Sequence, residues 1–279
     1  MSAPGVASAG QRAGRAALAV WYVLVLLFLF MPIATSIAYA FNEGSLNRQT
    51  AAFTGWTVRW FAAAWANVTL RNAVVTSLTV SFWAALISVV IGSALGFALV
   101  RHPSRRVRLF LTGLTYVLLI VPETVVGVSL LLFYAVTGLP LGMATLVAGI
   151  TPLAISVTAL IVRAGVVTLD RRIEEAAADL GANRRQTLWF VVLPHLLPAV
   201  LAGALMSYVF AFDNLVISSF LTTPQINTLP VYLYGSLQYG PSPAVYAAAA
   251  SVLVLTILLV GLAGLFYRLA LRRGARSPA

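Results

Sequence analysis

The sequence predicts an all-α membrane protein with six transmembrane helices, and three observations lead to this prediction. Of the 279 residues, 61% are hydrophobic and only 9% are charged, whereas a soluble domain has about 25% charged residues. Six apolar runs are long enough to cross a bilayer, which takes roughly 20 residues in a helix. The arginine residues occupy alternate connections between these runs, which favours an even number of spans.

The six predicted spans are separated by connections of very different length. They are Leu18–Phe41, Asn72–Val100, Leu109–Thr137, Met143–Val162, Leu196–Phe220 and Ala244–Leu269. The first run has a second interpretation, because Arg12 and Arg15 precede it and Ala38-Tyr39-Ala40 fits a signal-peptide cleavage site. Its apolar stretch is longer than the roughly 7–15 residues of a signal peptide, so we expect a retained helix.

Two connections contain short predicted helices. In the first connection, the aromatic residues indicate either a short helix lying at the membrane interface or an ordinary aromatic belt, because indole rings favour the headgroup region; they are Trp56, Trp60, Phe61 and Trp65. The proline-rich segment 224–243 predicts a short re-entrant or surface helix between turns.

Arginine supplies all the basic charge of the chain, and its distribution predicts the orientation. Of 18 arginines, 15 lie in the two terminal tails and in the second-to-third and fourth-to-fifth connections. The other three, Arg48, Arg59 and Arg71, lie in the first connection. Because arginine accumulates on the cytoplasmic side, we expect both termini in the cytoplasm. The net charge of +11 therefore indicates topology rather than nucleic-acid binding.

The chain contains no Lys and no Cys, which excludes several kinds of chemistry. Without Lys there is no Walker A phosphate loop, and without Cys there is no thiolate nucleophile or disulfide. His102 and His195 lie in predicted connections, far from any acidic residue inside a span. The sequence therefore argues against an ATPase, a metal site and an intramembrane enzyme.

The fourth-to-fifth connection predicts a helix, a turn and a second short helix. It reads Glu174-Glu175-Ala176-Ala177-Ala178-Asp179-Leu180-Gly181-Ala182-Asn183, with Val191-Val192-Leu193-Pro194 further on. Acidic residues in a first turn and alanines favour a helix, and glycine is a typical helix terminator. The small side chains would let a partner approach this helix closely.

This segment resembles the EAA loop of the permease subunits of ABC importers. The matching pattern is Glu175-Ala176-Ala177, three residues, Gly181, nine residues, then Val191-x-Leu193-Pro194. The resemblance extends over residues 15–270 and implies the type I importer permease (MetI-like) fold. In that family the loop docks in a groove of a separate ATPase. The coupling residues implied here are Glu174, Glu175, Ala176, Ala177, Gly181, Leu193 and Pro194.

The resemblance also implies an organisation and a set of partners. Residues 1–15 and 271–279 would be cytoplasmic tails, and 16–270 a single transmembrane permease domain with its coupling loop at 164–195. The implied partners are a second, related permease, an ATPase dimer and an extracytoplasmic solute-binding protein, in a bacterial inner membrane. The chain itself would need no cofactor, because ATP and Mg are bound by the ATPase.

Within the family, the chain is most similar to the spermidine/putrescine branch, through three local matches. They are Val121-Pro122-Glu123 with Gly127–Phe133, Phe212–Phe220, and Leu229-Pro230 with Tyr239-Gly240-x-Ser242-Pro243. Relatives often have a second acid where this chain has Asn214. Permeases for other solutes share parts of these matches, so an amino-acid derivative, an opine, a phosphonate or a metal complex is the alternative substrate.

Two acidic residues, Glu123 and Asp213, fall inside predicted spans with no arginine at the same depth. A carboxylate in hydrocarbon is unfavourable unless it faces a cavity or a partner. Counted along straight helices, both lie about 21–23 Å from the cytoplasmic ends of their spans. Two acids at one depth predict a constriction that attracts cations and suits a polyammonium substrate.

Further residues are candidates for the same substrate pathway, and the two acidic residues also have alternative interpretations. Further candidates for the substrate pathway are Asn214, Ser129, Tyr134 and Tyr208. Alternatively, the two carboxylates only join neighbouring helices through hydrogen bonds. In a secondary transporter they would be ion sites, but such a protein has no need of the EAA segment.

Overall fold

The computed structural model describes residues 9–44, 52–238 and 242–274, and this part of the chain is helical. The helices are α1 (Ala9–Ala40), α2 (Arg59–Ala66), α3 (Val68–Arg101), α4 (Arg105–Ile120), α5 (Glu123–Thr137), α6 (Met143–Thr168), α7 (Arg171–Asp179), α8 (Arg184–Gln186), α9 (Leu193–Phe212), α10 (Val216–Leu221), α11 (Leu229–Gln238) and α12 (Pro243–Gly274). A π-helical segment, Thr187–Val192, joins α8 to α9. Among the described residues β-structure is limited to one isolated bridge between Asn42 and Trp56, so the predicted all-α class is confirmed.

The described helices confirm a membrane protein. Four of them are long and apolar enough to cross a bilayer, and the bent pair α4–α5 makes a fifth candidate. The sixth predicted span corresponds to α12, whose described apolar part is Pro243–Leu258. The prediction of six spans is compatible with these helices. Arg48, Tyr239 and Gly240, which entered the sequence analysis, lie outside the described residues.

The third predicted span is not one straight helix. Its two halves, α4 and α5, are bent by 95° at a break of two residues, Val121 and Pro122. Both residues have ψ of 128°, outside the helical range, and for Val121 this follows because proline disfavours the helical conformation in the residue before it. The depth calculated for Glu123 along a straight helix is therefore wrong, since the chain changes direction just before that residue.

The fourth and fifth predicted spans also differ from the structure at their ends. Helix α6 continues to Thr168, so Arg163 lies inside a helix and not in a connection. The fifth predicted span is not one continuous helix, because α9 ends at Phe212 and the next helix, α10, begins at Val216. The short helices predicted near Trp60 and after Pro224 are confirmed as α2 and α11.

The described residues fall into two compact units, one within Met1–Val68 and Ser236–Ala279 and the other within Thr69–Gly235. In the first unit, α12 packs against α1 and α2, and Tyr39 lies 6.1 Å from Tyr246 between ring centroids. The connection after α1 is held by Asn42, whose side-chain oxygen accepts hydrogen bonds from the backbone N–H and the hydroxyl of Thr54.

In the second unit, close backbone contacts join α3, α6 and α9. A Cβ added at Gly96 would lie 2.6 Å from the carbonyl oxygen of Ala159, and one at Gly165 would lie 2.5 Å from the Cβ of Ala199. Only glycine permits such an approach. A buried apolar cluster of Val162, Val166, Val192 and Leu196 lies beside these contacts. The three helices therefore pack tightly at the end that leads into α7.

Candidate functional site

The breaks in the third and fifth predicted spans meet, and a hydrogen bond joins them. Nδ2 of Asn214, in the break between α9 and α10, donates to Oε2 of Glu123 at 3.0 Å. Glu123 is the first residue of α5, where the helix dipole interacts favourably with a carboxylate. Asn214 is 5% exposed, and its side-chain oxygen accepts from the backbone N–H of Ser218 at 3.3 Å. We call this pair of breaks the helix junction.

Asp213 lies beside this pair and is oriented differently. It follows the last residue of α9, and its side chain is exposed in the isolated chain. The end of α9 carries the negative end of a helix dipole, which favours a cation at the same position. The helix junction therefore has one carboxylate bonded within the protein and one that is exposed in the isolated chain.

Tight packing holds the junction together. A Cβ added at Gly127 in α5 would lie 2.5 Å from Cδ2 of Phe220 in α10. Ser218 is fully buried, and its hydroxyl has no hydrogen-bond partner among the described residues. The contact between α5 and α10 thus depends on a glycine, and an unused polar group lies one helical turn after Asn214.

The other predicted pathway residues are placed in three different environments. Tyr134 is 6% exposed, and its hydroxyl donates to the carbonyl of Thr145 at 3.3 Å. Tyr208 is half-buried and stacks on Phe212, with 6.4 Å between ring centroids. Ser129 is exposed. The structure brings Glu123 and Asn214 into contact with each other. Asp213 immediately precedes Asn214 in the chain.

The predicted helix–turn–helix of the fourth-to-fifth connection is confirmed in detail. Helix α7 begins after Asp170, whose carboxylate accepts a hydrogen bond from the backbone N–H of Arg172 at 3.0 Å. It ends at Asp179, and Gly181 follows in the turn with φ of +84°. The N–H of Ala182 bonds to the carbonyl of Ala177 at 3.0 Å, which is the Schellman arrangement. Asn183 then caps α8.

The predicted coupling residues divide into outward-facing and inward-facing groups. Those exposed in the isolated chain are Glu175, Ala176, Gly181 and Pro194. Ala177 and Leu193 are half-buried. Glu174 turns inward, where its Oε1 lies 2.9 Å from Nη2 of Arg101 at the end of α3. Helix α7 thus has an outer face of small and acidic residues and an inner face tied to α3.

Next to α7 lies a cavity of about 300 Å³ lined by Asn183, Arg185, Gln186, Trp189 and Phe190. The two aromatic side chains are 56% and 78% exposed. Exposed aromatic residues around a cavity are typical of surfaces that bind another protein. Together with the outer face of α7, they make this end of the chain suited to a protein partner.

Two features of these sites were not predicted from the sequence. From the sequence, Arg101 was used only as one of the arginines that predict the orientation. Its hydrogen bond to Leu169, which is 68 residues away in the chain, was not predicted. The bond from Asn214 to Glu123 spans 91 residues. The one signal in the sequence was Pro122, which predicts a break in the helix but not which other segment contacts that break. Among the described residues no group of three or more His, Asp or Glu is arranged to hold a metal.

Comparison with known proteins gives matches to a family and to individual relatives. Residues 88–272 match the family described as binding-protein-dependent transport system inner membrane component. The chain is 32% identical over 233 residues to the spermidine/putrescine transport system permease protein PotC of Escherichia coli K12, covering 84% of this chain and 87% of that protein. It is 30% identical over 243 residues to the putrescine transport system permease protein PotI of the same strain, covering 84% and 85%.

Two solved structures resemble the fold. One belongs to a bacterial ABC transporter that imports the acidic polysaccharide alginate, with a TM-score of 0.70, 17% identity and coverage of 95% of this chain and 99% of that chain. The other is the MetNI methionine ABC transporter, with a TM-score of 0.59, 20% identity and coverage of 70% and 92%. At these identities the similarity concerns the fold, and it confirms the predicted permease architecture.

Proposed function

This chain belongs to the family of binding-protein-dependent transport system inner membrane components, and on that premise we propose that it is the permease subunit of an ABC importer that takes up polyamines. Members of the family are transport permeases and not enzymes. Relatives named for spermidine and putrescine, 30–32% identical over most of the chain, support the substrate class.

The proposed importer has three further kinds of subunit. A second, related permease completes the pathway, a pair of ATPase subunits binds ATP and Mg, and an extracytoplasmic binding protein delivers the substrate. Both termini and α7 face the cytoplasm in this proposal, because 14 of 18 arginines belong to the predicted tails and connections on that side, and Arg163 lies near the end of α6 that leads into α7. The outward-facing residues of α7, Glu175 and Ala176, then meet the ATPase.

The observation that best supports a cationic substrate is the geometry of the helix junction. Asp213 is an exposed carboxylate at the C-terminal end of α9, beside the half-buried carboxylate of Glu123. Interrupted helices in transporters commonly provide the substrate and ion sites, because their ends carry uncompensated charge. An ammonium group would interact with Asp213 and with the end of α9, and both interactions are unfavourable for an anion.

Uptake by the assembled importer tests the proposal. Cells that lack other polyamine transport would express this chain with its partner permease, ATPase and binding protein, and the uptake of labelled putrescine and spermidine would be measured. We expect uptake that excess unlabelled polyamine blocks and an acidic amino acid does not. Uptake of an anionic or neutral solute with no polyamine uptake would contradict the proposed substrate, and loss of uptake in Asp213→Asn would support the proposed site.

A further inference from the structure

The last residue of α3, Arg101, contacts two elements that follow much later in the chain. Nη2 of its guanidinium lies 3.0 Å from the carbonyl oxygen of Leu169, at the end of α6. The same nitrogen lies 2.9 Å from Oε1 of Glu174 in α7. One side chain therefore joins the ends of α3 and α6 to α7.

This ion pair is better shielded from solvent than a surface pair. The side chains of Arg101 and Glu174 are 13% and 24% exposed, whereas those of Arg59 and Glu43 are 54% and 52% exposed. Shielded pairs are less weakened by salt than exposed ones. Oε1 of Glu174 is buried and makes no hydrogen bond among the described residues, so the ion pair with Arg101 is what compensates its charge, and removal of Arg101 would leave that oxygen buried and uncompensated.

The position of Arg101 matters because α7 has a hinge at its start. Leu169 and Asp170, between α6 and α7, have extended backbones with ψ of 116° and 127°. Two extended residues alone would leave the direction of α7 free to change. Arg101 contacts the hinge at Leu169 and also reaches Glu174 beyond it, so it braces α7 against α6.

The pair also decides which side of α7 faces outward. Consecutive residues of a helix differ by about 100° around its axis, so fixing Glu174 inward places Glu175 outward, where it is exposed. Above the pair, the backbone contact of Gly96 with Ala159 joins α3 to α6. A displacement of α7 is therefore passed to α3 through Arg101 and to α6 through the chain itself.

We propose that Arg101 is the positioning residue that fixes α7 against α3 and α6 and so transmits ATPase movement to the transmembrane helices. This inference rests on the proposed function, since it assigns a role in coupling. It concerns a contact within this chain and not the contact of α7 with the ATPase.

Reconstituted importer in proteoliposomes tests the inference, with polyamine uptake and ATP hydrolysis measured in parallel. For Arg101→Ala we expect uptake per ATP hydrolysed to fall about tenfold, within the range usual for coupling between sites, while the ATPase still co-purifies. Arg101→Lys should retain part of the coupling, because one ammonium replaces the charge but not the two-sided contact. Arg105→Ala is the matched control, since Arg105 is exposed in the same connection and should leave the ratio unchanged.

A double-mutant cycle shows whether Arg101 and Glu174 contribute to coupling as one pair or independently of each other. If the two residues act as a pair, Arg101→Ala with Glu174→Ala loses no more coupling than either single variant. Losses that multiply, or a normal uptake-to-ATP ratio in Arg101→Ala, would overturn the inference.

A readout on α7 itself keeps this test separate from the substrate question. The chain has no native cysteine, so a spin label at Asp179→Cys, on the exposed side of α7, reports only that helix. We expect the label to become more mobile with Arg101→Ala and to be unaffected by Arg105→Ala. Unchanged mobility would overturn the inference even if polyamine uptake is confirmed, whereas increased mobility in an importer that takes up no polyamine would refute only the proposed substrate.

Discussion

The side-chain amide of Asn214 donates a 3.0 Å hydrogen bond to the carboxylate of Glu123 and so joins two interrupted helices. One end of the bond is ionisable and the other is neutral, so the pair carries at most one negative charge. Asp213, the preceding residue, is exposed. At the helix junction the two neighbouring polar residues therefore have different environments, with Asn214 bonded to Glu123 and Asp213 exposed in the isolated chain.

Replacing Asn214 should destabilise the junction. With Asn214→Ala, Glu123 loses its amide donor, and a hydrogen bond to a charged group contributes about 1.5–3 kcal/mol. We expect a lower thermal unfolding temperature of the purified complex. Gln225→Ala is the control, because this exposed amide should be replaceable without effect. Equal unfolding temperatures for the two variants would show that the bond contributes nothing to stability.

Replacing Asp213 should affect transport and not assembly. With Asp213→Asn, the KM for polyamine uptake should rise about tenfold, because a charge-assisted contact with an ammonium group is lost. Asp213→Glu keeps the charge and should keep most of the uptake. Amounts of assembled complex, measured by co-purification, should match the wild type in both variants. Normal uptake by Asp213→Asn would remove this residue from the substrate pathway.

The contact between α3 and α6 should not accept a methyl group. In Gly96→Ala the new Cβ would meet a backbone oxygen at 2.6 Å, and overpacking of this kind destabilises by about 1–3 kcal/mol. In Gly113→Ala the new Cβ meets no atom within 4 Å in the part of the chain that the structure describes, and alanine stabilises a helix interior by about 0.5–1 kcal/mol relative to glycine. Thermal unfolding of the two variants should therefore shift in opposite directions, and shifts of the same sign would contradict the packing described.

The turn after α7 should depend on a positive φ. Gly181 has φ of +84°, and a Cβ there would have no atom of the described residues within 4 Å. Asparagine visits this left-handed region readily, while other residues lose about 1–2 kcal/mol there. We expect Gly181→Asn to retain more ATP-driven uptake than Gly181→Val. Equal and severe losses in both would instead indicate that a partner subunit contacts position 181 directly.

The sequence predicted those structural features that depend on residues close to each other in the chain. The end of α7 just before Gly181 and the turn at Asn183 follow from local backbone preferences, and both are present in the structure. The long apolar helices follow from composition. These features need no knowledge of the rest of the chain.

The features that the sequence did not predict depend on contacts between distant segments. Pro152 and Pro198 lie inside continuous helices, while Pro122 lies in a 95° bend. The three residues have the same local chemistry, so the difference comes from what surrounds them. At Pro122 the following helix packs on α10 and Glu123 finds Asn214. Arg101 likewise gains its role only because α7 folds back beside it.

The bent pair α4–α5 has a consequence for how the protein enters the membrane. The two helices have 16 and 15 residues, or about 24 and 22 Å, and each is shorter than the roughly 30 Å hydrocarbon layer. Neither half alone could therefore span this layer, and the two halves would have to enter the membrane together. Asn214 and Phe220, which hold the bend, are translated much later. The hydrogen bond from Asn214 to Glu123 and the contact of Phe220 with Gly127 therefore form only after the α4–α5 segment has been synthesised.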